Sequence, residues 1–343
     1  MSIADITQEP PRLTLAQLPT PLVHLPRLSN EIGGRALWVK RDDLTGLELS
    51  GNKVRKLEYV IAEATRAGAD TLITEGGVQS NHCRATAAAG ARLGMHVRLI
   101  LRQPDGHPAT DGNLLLDRLF GAEIGFVALE EWRQRRAEIV EGVLRELGDR
   151  GRRPYYFPVG ASTPLGVWGY IRCMAELRQQ MAQEGIDRAE IVCAVGSGGT
   201  LTGLMVGRAL LRMERCRIWG VPVCEDASYW ERELRRLERE TVVAYRLAVE
   251  EQDTPIRLID GFVGPGYAVP YPEDLQAIRL AAQRAGLLLD PVYTGKAFAG
   301  LLHAARSGLF ERDAAVVFVH TGGVFGLFPQ REAVWSHQAR ATP

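Results

Sequence analysis

The sequence predicts an α/β protein built on open, twisted parallel sheets with helices on both faces. Short apolar runs alternate with amphipathic stretches along most of the chain, the pattern of strand–helix–strand units. Glycine follows several of the amphipathic stretches, at Gly68, Gly94 and Gly148, where a helix would stop. Three strand ends run directly into glycine-rich or small polar loops, at 76–82, 196–200 and 320–323. In open parallel sheets, loops after the carboxyl ends of strands are where ligands bind.

In chain order, residues 1–20 read as irregular and Pro19-Thr20-Pro21 as an extended segment. Residues 36–40 form a short strand and 41–46 a polar loop. A helix over 52–67 follows, with Val54, Leu57, Val60, Ile61 and Ala64 at helical spacing. Strand 71–74, an Ala-rich helix over 84–93, strand 97–101, helix 114–120, strand 123–127 and a long helix over 130–147 continue the alternation. After Tyr155-Tyr156-Phe157-Pro158 the theme repeats with helix 164–184, strand 190–195, helix 201–213 and strand 217–221. A charged helix or pair of helices covers 231–251, helices cover 275–285 and 295–307, and a buried strand covers 314–320. No linker, short-period repeat or low-complexity tract stands out.

Composition narrows the function. The 343 residues are 46% hydrophobic and 24% charged, enough for the core of one or two domains. Lysine plus arginine number 41 and acidic residues 41, so bulk electrostatics give no reason to expect nucleic acid or a membrane as partner; a small molecule is expected. Five cysteines, at Cys83, Cys173, Cys193, Cys216 and Cys224, contain no C-x-x-C pair, which argues against a disulfide framework or zinc ribbon and for a reducing compartment. No apolar run approaches the roughly 20 residues that span a bilayer. The N-terminus, with Asp5, Glu9, Pro10 and Pro11, lacks a basic stretch followed by an apolar one. A cytoplasmic location follows from this reading.

Lysine is scarce: only Lys40, Lys53, Lys56 and Lys296 occur among the 41 basic residues. Arginine stays charged at any usual pH, whereas a desolvated lysine amine loses its proton and becomes a nucleophile or Schiff-base partner. The stretch 49–59, which holds Lys53 and Lys56, is therefore a candidate site for amine chemistry. Drift at tolerant surface positions is the competing explanation for any single lysine.

Each of the three loops has a chemical and a bland reading. Gly196-Ser197-Gly198-Gly199-Thr200 lies between a strand and a helix and suits an anion, because backbone N–H groups and the helix N-terminus converge there. It is neither a dinucleotide loop, since Leu201 stands where G-x-G-x-x-G needs glycine, nor a Walker loop. Gln79-Ser80-Asn81-His82 suits a carboxylate, or simply caps a helix. His320-Thr321-Gly322-Gly323 can present a hydroxyl to a heteroaromatic nitrogen, or simply turns. His82 and His320 lack companions at ligand spacing, so no metal site is expected. Cys83 reads as a buried structural thiol.

Taken together these segments resemble the D-cysteine desulfhydrase and 1-aminocyclopropane-1-carboxylate deaminase family of fold-type II pyridoxal-phosphate enzymes, whose fold is like that of the tryptophan synthase β subunit. The resemblance runs from Pro19-Thr20-Pro21-Leu22 to Leu327. It passes through 39–43, Gly51-Asn52-Lys53, 55–58, 79–82, Gly160-Ala161-Ser162, Gly198-Gly199-Thr200, Gly266-Tyr267, Asp290-Pro291-Val292-Tyr293-Thr294-Gly295-Lys296 and 320–323. It implies a large cofactor-binding domain, residues 1–59 and 166–343, a smaller domain over 60–165 that closes on the substrate, and a homodimer.

The resemblance also assigns roles. Lys53 would form the Schiff base with pyridoxal 5′-phosphate, and Lys56 with the backbone of Gly196, Ser197, Gly198, Gly199 and Thr200 would hold the phosphate. Asn81 would contact the cofactor's 3′-oxygen, and Ser80, Asn81 and His82 would take the carboxylate of a small amino-acid substrate. Tyr293 and Tyr267 would flank the reacting carbons, and Thr321 would face the pyridine nitrogen. The deaminase pattern has Glu at the position of Thr294 and Leu at that of Thr321, so both departures favour β-elimination from D-cysteine, giving pyruvate, ammonia and sulfide. L-cysteate sulfo-lyase, 1-aminocyclopropane-1-carboxylate deaminase, β-replacement and a non-catalytic amino-acid-binding homologue are the alternatives. Ser50, Thr163-Pro164, Trp168, Ala268 and Tyr271-Pro272 depart from the desulfhydrase pattern and are expected near the pocket, which leaves leaving group and chirality open. Lys40 and Lys296 match the family without an assigned role.

Overall fold

The computed structural model describes residues 9–103 and 108–340; of the irregular N-terminal segment, 1–8 lie outside them. The chain begins with β1 (Leu22–His24), the short α1 (Pro26–Ser29) and β2 (Leu37–Lys40), and then enters α2 (Lys53–Arg66). A second sheet follows: β3 (Thr71–Gly77), α3 (Asn81–Leu93), β4 (His96–Gln103), α4 (Gly112–Leu119), β5 (Glu123–Ala128), α5 (Leu129–Asp149) and β6 (Pro154–Tyr156). Helix α6 (Pro164–Gln183) leads back to β7 (Ala189–Val195), α7 (Gly199–Leu210), β8 (Cys216–Pro222), α8 (Ala227–Tyr245), α9 (Pro272–Ala285), α10 (Thr294–Arg306), β9 (Ala315–Val319) and α11 (Arg331–Arg340).

Two sheets result, ordered β1-β2-β9-β7-β8 and β5-β4-β3-β6. Every pairing is parallel except β1 on β2, which is antiparallel at the edge. Both sheets are covered on two faces. In the first, Met174, Leu204 and Leu234 pack on one side and Phe298, Phe318 and Ile278 on the other. In the second, Leu57, Val60 and Leu99 form one side, and Ile73, Ile100 and Trp132 of α5 the other. Strands covered on both faces read as unbroken apolar runs, which is why they were visible in the sequence.

The differences from the sequence reading have local causes. Strand β1 has three residues, too few to show a period. Strand β3 continues through Gly76 and Gly77, because β4 pairs with it as far as Arg102. Helix α3 starts at Asn81, not 84, because the Ser80 hydroxyl accepts the Cys83 N–H at 3.2 Å. Helix α8 begins at Ala227 behind the N-cap Asp226 and runs unbroken to Tyr245, where one helix or two from 231 was expected. Helix α11 was not anticipated.

Helices α2 and α6 join the two sheets and lie in direct contact. A Cβ at Gly169 of α6 would come 2.6 Å from the Arg55 backbone, so only glycine permits this approach. Around that contact the chain buries a balanced ion network. The Arg55 guanidinium bonds both Asp42 carboxylate oxygens at 2.8 Å and Glu176 at 2.6 Å, and Tyr170 donates to Asp42 at 2.6 Å. Lys40 donates to Thr20 O at 2.6 Å and Gln180 at 2.7 Å and pairs with Glu176 at 2.8 Å. This gives Lys40 a structural place. Burial pushes the Asp42 carboxyl up, yet Arg55 and Lys40 outweigh it and hold it below the usual range. The stabilisation is therefore present at neutral pH and lost as pH falls through that lowered value.

Removing one partner strands the other charge. Asp42→Ala is expected to lower the unfolding free energy by about 3–5 kcal/mol, and Tyr170→Phe by about 1.5–3 kcal/mol, in urea titrations; an unmoved midpoint for Asp42→Ala would contradict the network's role.

Candidate active site

The start of α2 and the end of β9 meet at a single tight contact. Gly51, with φ +104, lies so close that a Cβ there would sit 2.7 Å from Thr321 O, and the Asn52 N–H donates to that same oxygen at 3.1 Å. Lys53, the first residue of α2, is thereby placed beside Thr321 and the end of β7. One cavity is lined by Asn52, Lys53, Asn81, Gly196–Gly198, Ala194, Thr200, Tyr293 and Thr321. A wider surface cleft between α1, α9 and α10 lies away from Lys53 and is lined mainly by helix faces.

Burial lowers the Lys53 amine to about 8, against an opposing pull from the Asp290 carboxylate. Its Nζ stands 5.9 Å from the Tyr293 ring centroid. Lys56, one turn later on α2, is fully buried; its Nζ donates to Gly160 O and Ser162 Oγ, each at 3.2 Å, and burial followed by Lys53 pushes it well below the usual lysine value. Lys56 lies behind the glycine turn: a Cβ at Gly199 would come 2.7 Å from its Nζ.

Helix α7 opens on that turn with no side-chain cap at Gly198. Its first-turn dipole, the nearby lysines and the Ser197 and Thr200 hydroxyls make a compact cradle for a dianion. Ser162 joins it, accepting the Gly199 N–H at 3.2 Å and donating to Ser197 at 2.9 Å, and Asn52 donates to Thr200 Oγ1 at 2.9 Å. Neither Ser162 nor Asn52 was singled out from the sequence, although both lie in the quoted motifs. The donor set suits a phosphate monoester, and the lysine beside it suits an aldehyde, so the residues fit pyridoxal phosphate.

The second sheet supplies the facing wall. Asn113 donates to Asn81 Oδ1 at 3.1 Å, which orients the Asn81 amide so that its NH2 is available to the cavity. Ser80 is the N-cap of α3 and keeps its own hydroxyl proton to donate. His82 turns away: its Nε2 is 2.8 Å from Thr74 Oγ1, whose proton goes to Phe157 O. The imidazole therefore carries its proton on Nε2, and burial, then Lys53 and Lys56, keep it neutral. Gln79 bonds α4 through Asp111 O and the Asn113 N–H.

The remaining wall is a tyrosine pair. Tyr267 and Tyr293 hydroxyls are 2.5 Å apart with rings at 72°. Burial raises Tyr293 well above its ordinary value and raises the partly exposed Tyr267 in the same direction, so both are neutral phenols at physiological pH. The Asp290 carboxylate holds this corner: Oδ1 accepts from Thr294 N and Oγ1 at 2.9 and 2.6 Å, and Oδ2 from Val292 N and Tyr293 N at 2.9 and 3.0 Å. His320 donates to Leu288 O at 3.0 Å and accepts the Gly322 N–H at 3.3 Å, which shapes the turn that presents Thr321.

Of the residues singled out from the sequence, Lys53, Asn81, Gly196, Ser197, Gly198, Thr200, Tyr293 and Thr321 share the cavity. Lys56, Gly199, Ser80 and His82 stand behind it, and Tyr267, 37% exposed, reaches it through Tyr293. One departure expected near the pocket lies elsewhere: Trp168 is packed in the core against Tyr245, on the buried side of α6, whereas Thr163, next to the cradle's Ser162, caps that helix.

A lysine at an uncapped glycine turn, on two parallel α/β sheets, defines a class, and the chain belongs to the pyridoxal-phosphate dependent enzyme family, whose model matches residues 13–322. Within it the chain is 42% identical over 327 residues to a D-cysteine desulfhydrase of Salmonella choleraesuis, covering 93% of this chain and 95% of that protein. It is 41% identical over 325 residues to the bifunctional D-cysteine desulfhydrase/1-aminocyclopropane-1-carboxylate deaminase of Arabidopsis thaliana, covering 92% and 79%. A solved structure described as an ACC deaminase homologue superposes with a TM-score of 0.89 at 37% identity, covering 98% and 99%.

Only a neutral amine attacks an aldehyde, so uptake of pyridoxal phosphate by cofactor-free protein should quicken with pH around a midpoint of about 8. Stability moves the same way: above about pH 8 the unfolded chain keeps a proton that folded Lys53 has lost, so the cofactor-free protein gains stability up to the ordinary lysine range. Stopped-flow absorbance measures the uptake, and a rate flat across this window would contradict the lowered amine. Lys53→Ala should lose the near-visible band of the bound cofactor.

Proposed function

We propose that the protein is a β-eliminating lyase that converts D-cysteine and water into pyruvate, ammonia and hydrogen sulfide. The observation that carries this reading is the Lys53 amine sharing one cavity with Tyr293, whose hydroxyl is hydrogen-bonded to that of Tyr267 behind it. Bound pyridoxal phosphate supplies an electron sink for the bond to the α-carbon. The Gly196–Thr200 cradle, with Lys56 behind it, would hold the phosphate. Lys53 would bear the cofactor and, with its amine free, would take the α-proton on Nζ. Ser80 and the Asn81 amide bind the substrate carboxylate from the α3 side, while His82, its proton committed to Thr74, supports that helix start. The tyrosine pair delivers a proton to the departing sulfur, which a phenol held neutral is suited to do.

Two further features support elimination over ring opening. Thr294 is bonded both ways to Asp290, donating at 2.6 Å and accepting the Asp290 N–H at 2.8 Å. Thr321 offers the pyridine nitrogen a neutral hydroxyl, which does not force protonation of that ring. A cytoplasmic homodimer is part of the same proposal.

A second reading, release of sulfite from L-cysteate, is favoured by Arg102. It is the register partner of Gly77 on β4, and a Cβ at Gly77 would come 3.2 Å from the Tyr267 ring, so Arg102 stands on the same face beside that ring. Its guanidinium lies over Trp132 and has no carboxylate partner among the described residues, which leaves it to meet an anionic leaving group.

A panel of D-cysteine, L-cysteine, L-cysteate, β-chloro-D-alanine and 1-aminocyclopropane-1-carboxylate separates these readings. D-cysteine should give pyruvate and sulfide at the highest kcat/KM. Faster sulfite release from L-cysteate would transfer the assignment to the second reading, and 2-oxobutyrate from the cyclopropane substrate at rival rates would overturn both.

A further inference from the structure

Lys296 is fully buried, yet among the described residues no carboxylate lies within ion-pair distance of it. Its Nζ instead donates to two main-chain carbonyls, Val263 O at 2.6 Å and Gly266 O at 2.7 Å, and stands 5.7 Å from the Tyr271 ring centroid. An ammonium has three donors on one compact centre. Here two meet carbonyl oxygens and the third side faces an aromatic ring, an arrangement that a planar guanidinium fork does not match. In a chain with four lysines among 41 basic residues, one of them stands where its compact, three-donor shape is matched.

Those carbonyls belong to a segment with no helix or strand between the bridge at Leu258 and the start of α9. Its flanks have modest anchors: Tyr271 donates to Phe262 O at 3.1 Å and Gln330 to Ala268 O at 3.1 Å. Between them the chain turns through Gly264 and Gly266, at φ +66 and +153, and then presents Tyr267. Lys296 reaches this turn from the first turn of α10, three residues after Tyr293. One helix start therefore holds both phenols, Tyr293 as its N-cap and Tyr267 through the ammonium and the Gly266 carbonyl.

We propose that Lys296 is a positioning residue whose buried ammonium acts as a tethered cation, gathering the Val263 and Gly266 carbonyls and so fixing Tyr267 against Tyr293. Its consequence for turnover rests on the proposed role of the tyrosine pair; its consequence for the loop does not.

The test pairs hydrogen exchange on cofactor-free protein with kinetics on the holoenzyme. In Lys296→Met, amides of 263–268 should exchange about tenfold faster or more while α2, α7 and β9 keep their protection. The holoenzyme should keep its near-visible absorbance and KM for D-cysteine, while kcat falls about tenfold to a hundredfold, the scale set by misplacing a reacting group. In Lys296→Ala, added methylammonium should restore both loop protection and kcat, and in Lys296→Met, where the side chain fills the space, it should not. If Lys296→Met fails to fold, Lys296→Gln, a neutral donor, carries the exchange measurement and should show partial loosening. Unchanged exchange at 263–268, loosening spread evenly over the protein, or no rescue of Lys296→Ala would each overturn the proposal. A loosened, rescuable loop in an enzyme that eliminates from no substrate of the panel would instead sink the functional reading and leave the clamp standing.

Discussion

The whole site depends on the near-contact of two backbones at Gly51 and Thr321. Any side chain at 51 would collide with the Thr321 carbonyl at 2.7 Å, and the same carbonyl receives the Asn52 N–H. This contact holds the first turn of α2 against the carboxyl end of β9, and Lys53 is the first residue of that turn. The ion network beneath, from Asp42 through Arg55 to Glu176, keeps α2 from shifting along α6. A lysine proposed to bear the cofactor must not move relative to the glycine cradle on α7, and these two features fix one to the other.

The electrostatics follow from this geometry. Lys53, Lys56 and the uncapped start of α7 concentrate positive potential in a buried space where the Asp290 carboxylate is itself saturated by Thr294 and by backbone N–H groups. Such a site binds an anion and, at the same time, lowers the proton affinity of its amines. The cradle that would hold phosphate thus also prepares Lys53 for covalent chemistry. On the opposite side, neutral phenols and a neutral histidine keep the wall free of competing charge.

Much of this was legible in the sequence, for identifiable reasons. Strands such as those read at 190–195 and 314–320 are clear because they are covered on both faces, and α2 is clear because its apolar residues recur at helical spacing. Lys53 stood out because amines are rare in this chain. The edge strand β1, the start of α3 at Ser80 and the single long α8 did not read clearly, since each depends on one cap or one neighbouring strand. Trp168 was misplaced because a tryptophan one turn into a helix looks the same whether it faces a ligand or a core.

By itself the sequence determined the fold class and the family motifs and singled out Lys53 as the candidate amine, because hydrophobic period and residue scarcity are properties of the chain alone. Only the tertiary structure decided what each polar residue does. Ser162 and Asn52 join the glycine turn that opens α7, Lys40 is spent on the core, and His82 is turned toward Thr74. Lys296 grips the loop that carries Tyr267. Lysine donors are satisfied equally well by a carboxylate, a carbonyl or a phosphate. Which of these a given lysine meets depends on what the fold places within about 3 Å of its nitrogen, and no local pattern encodes that.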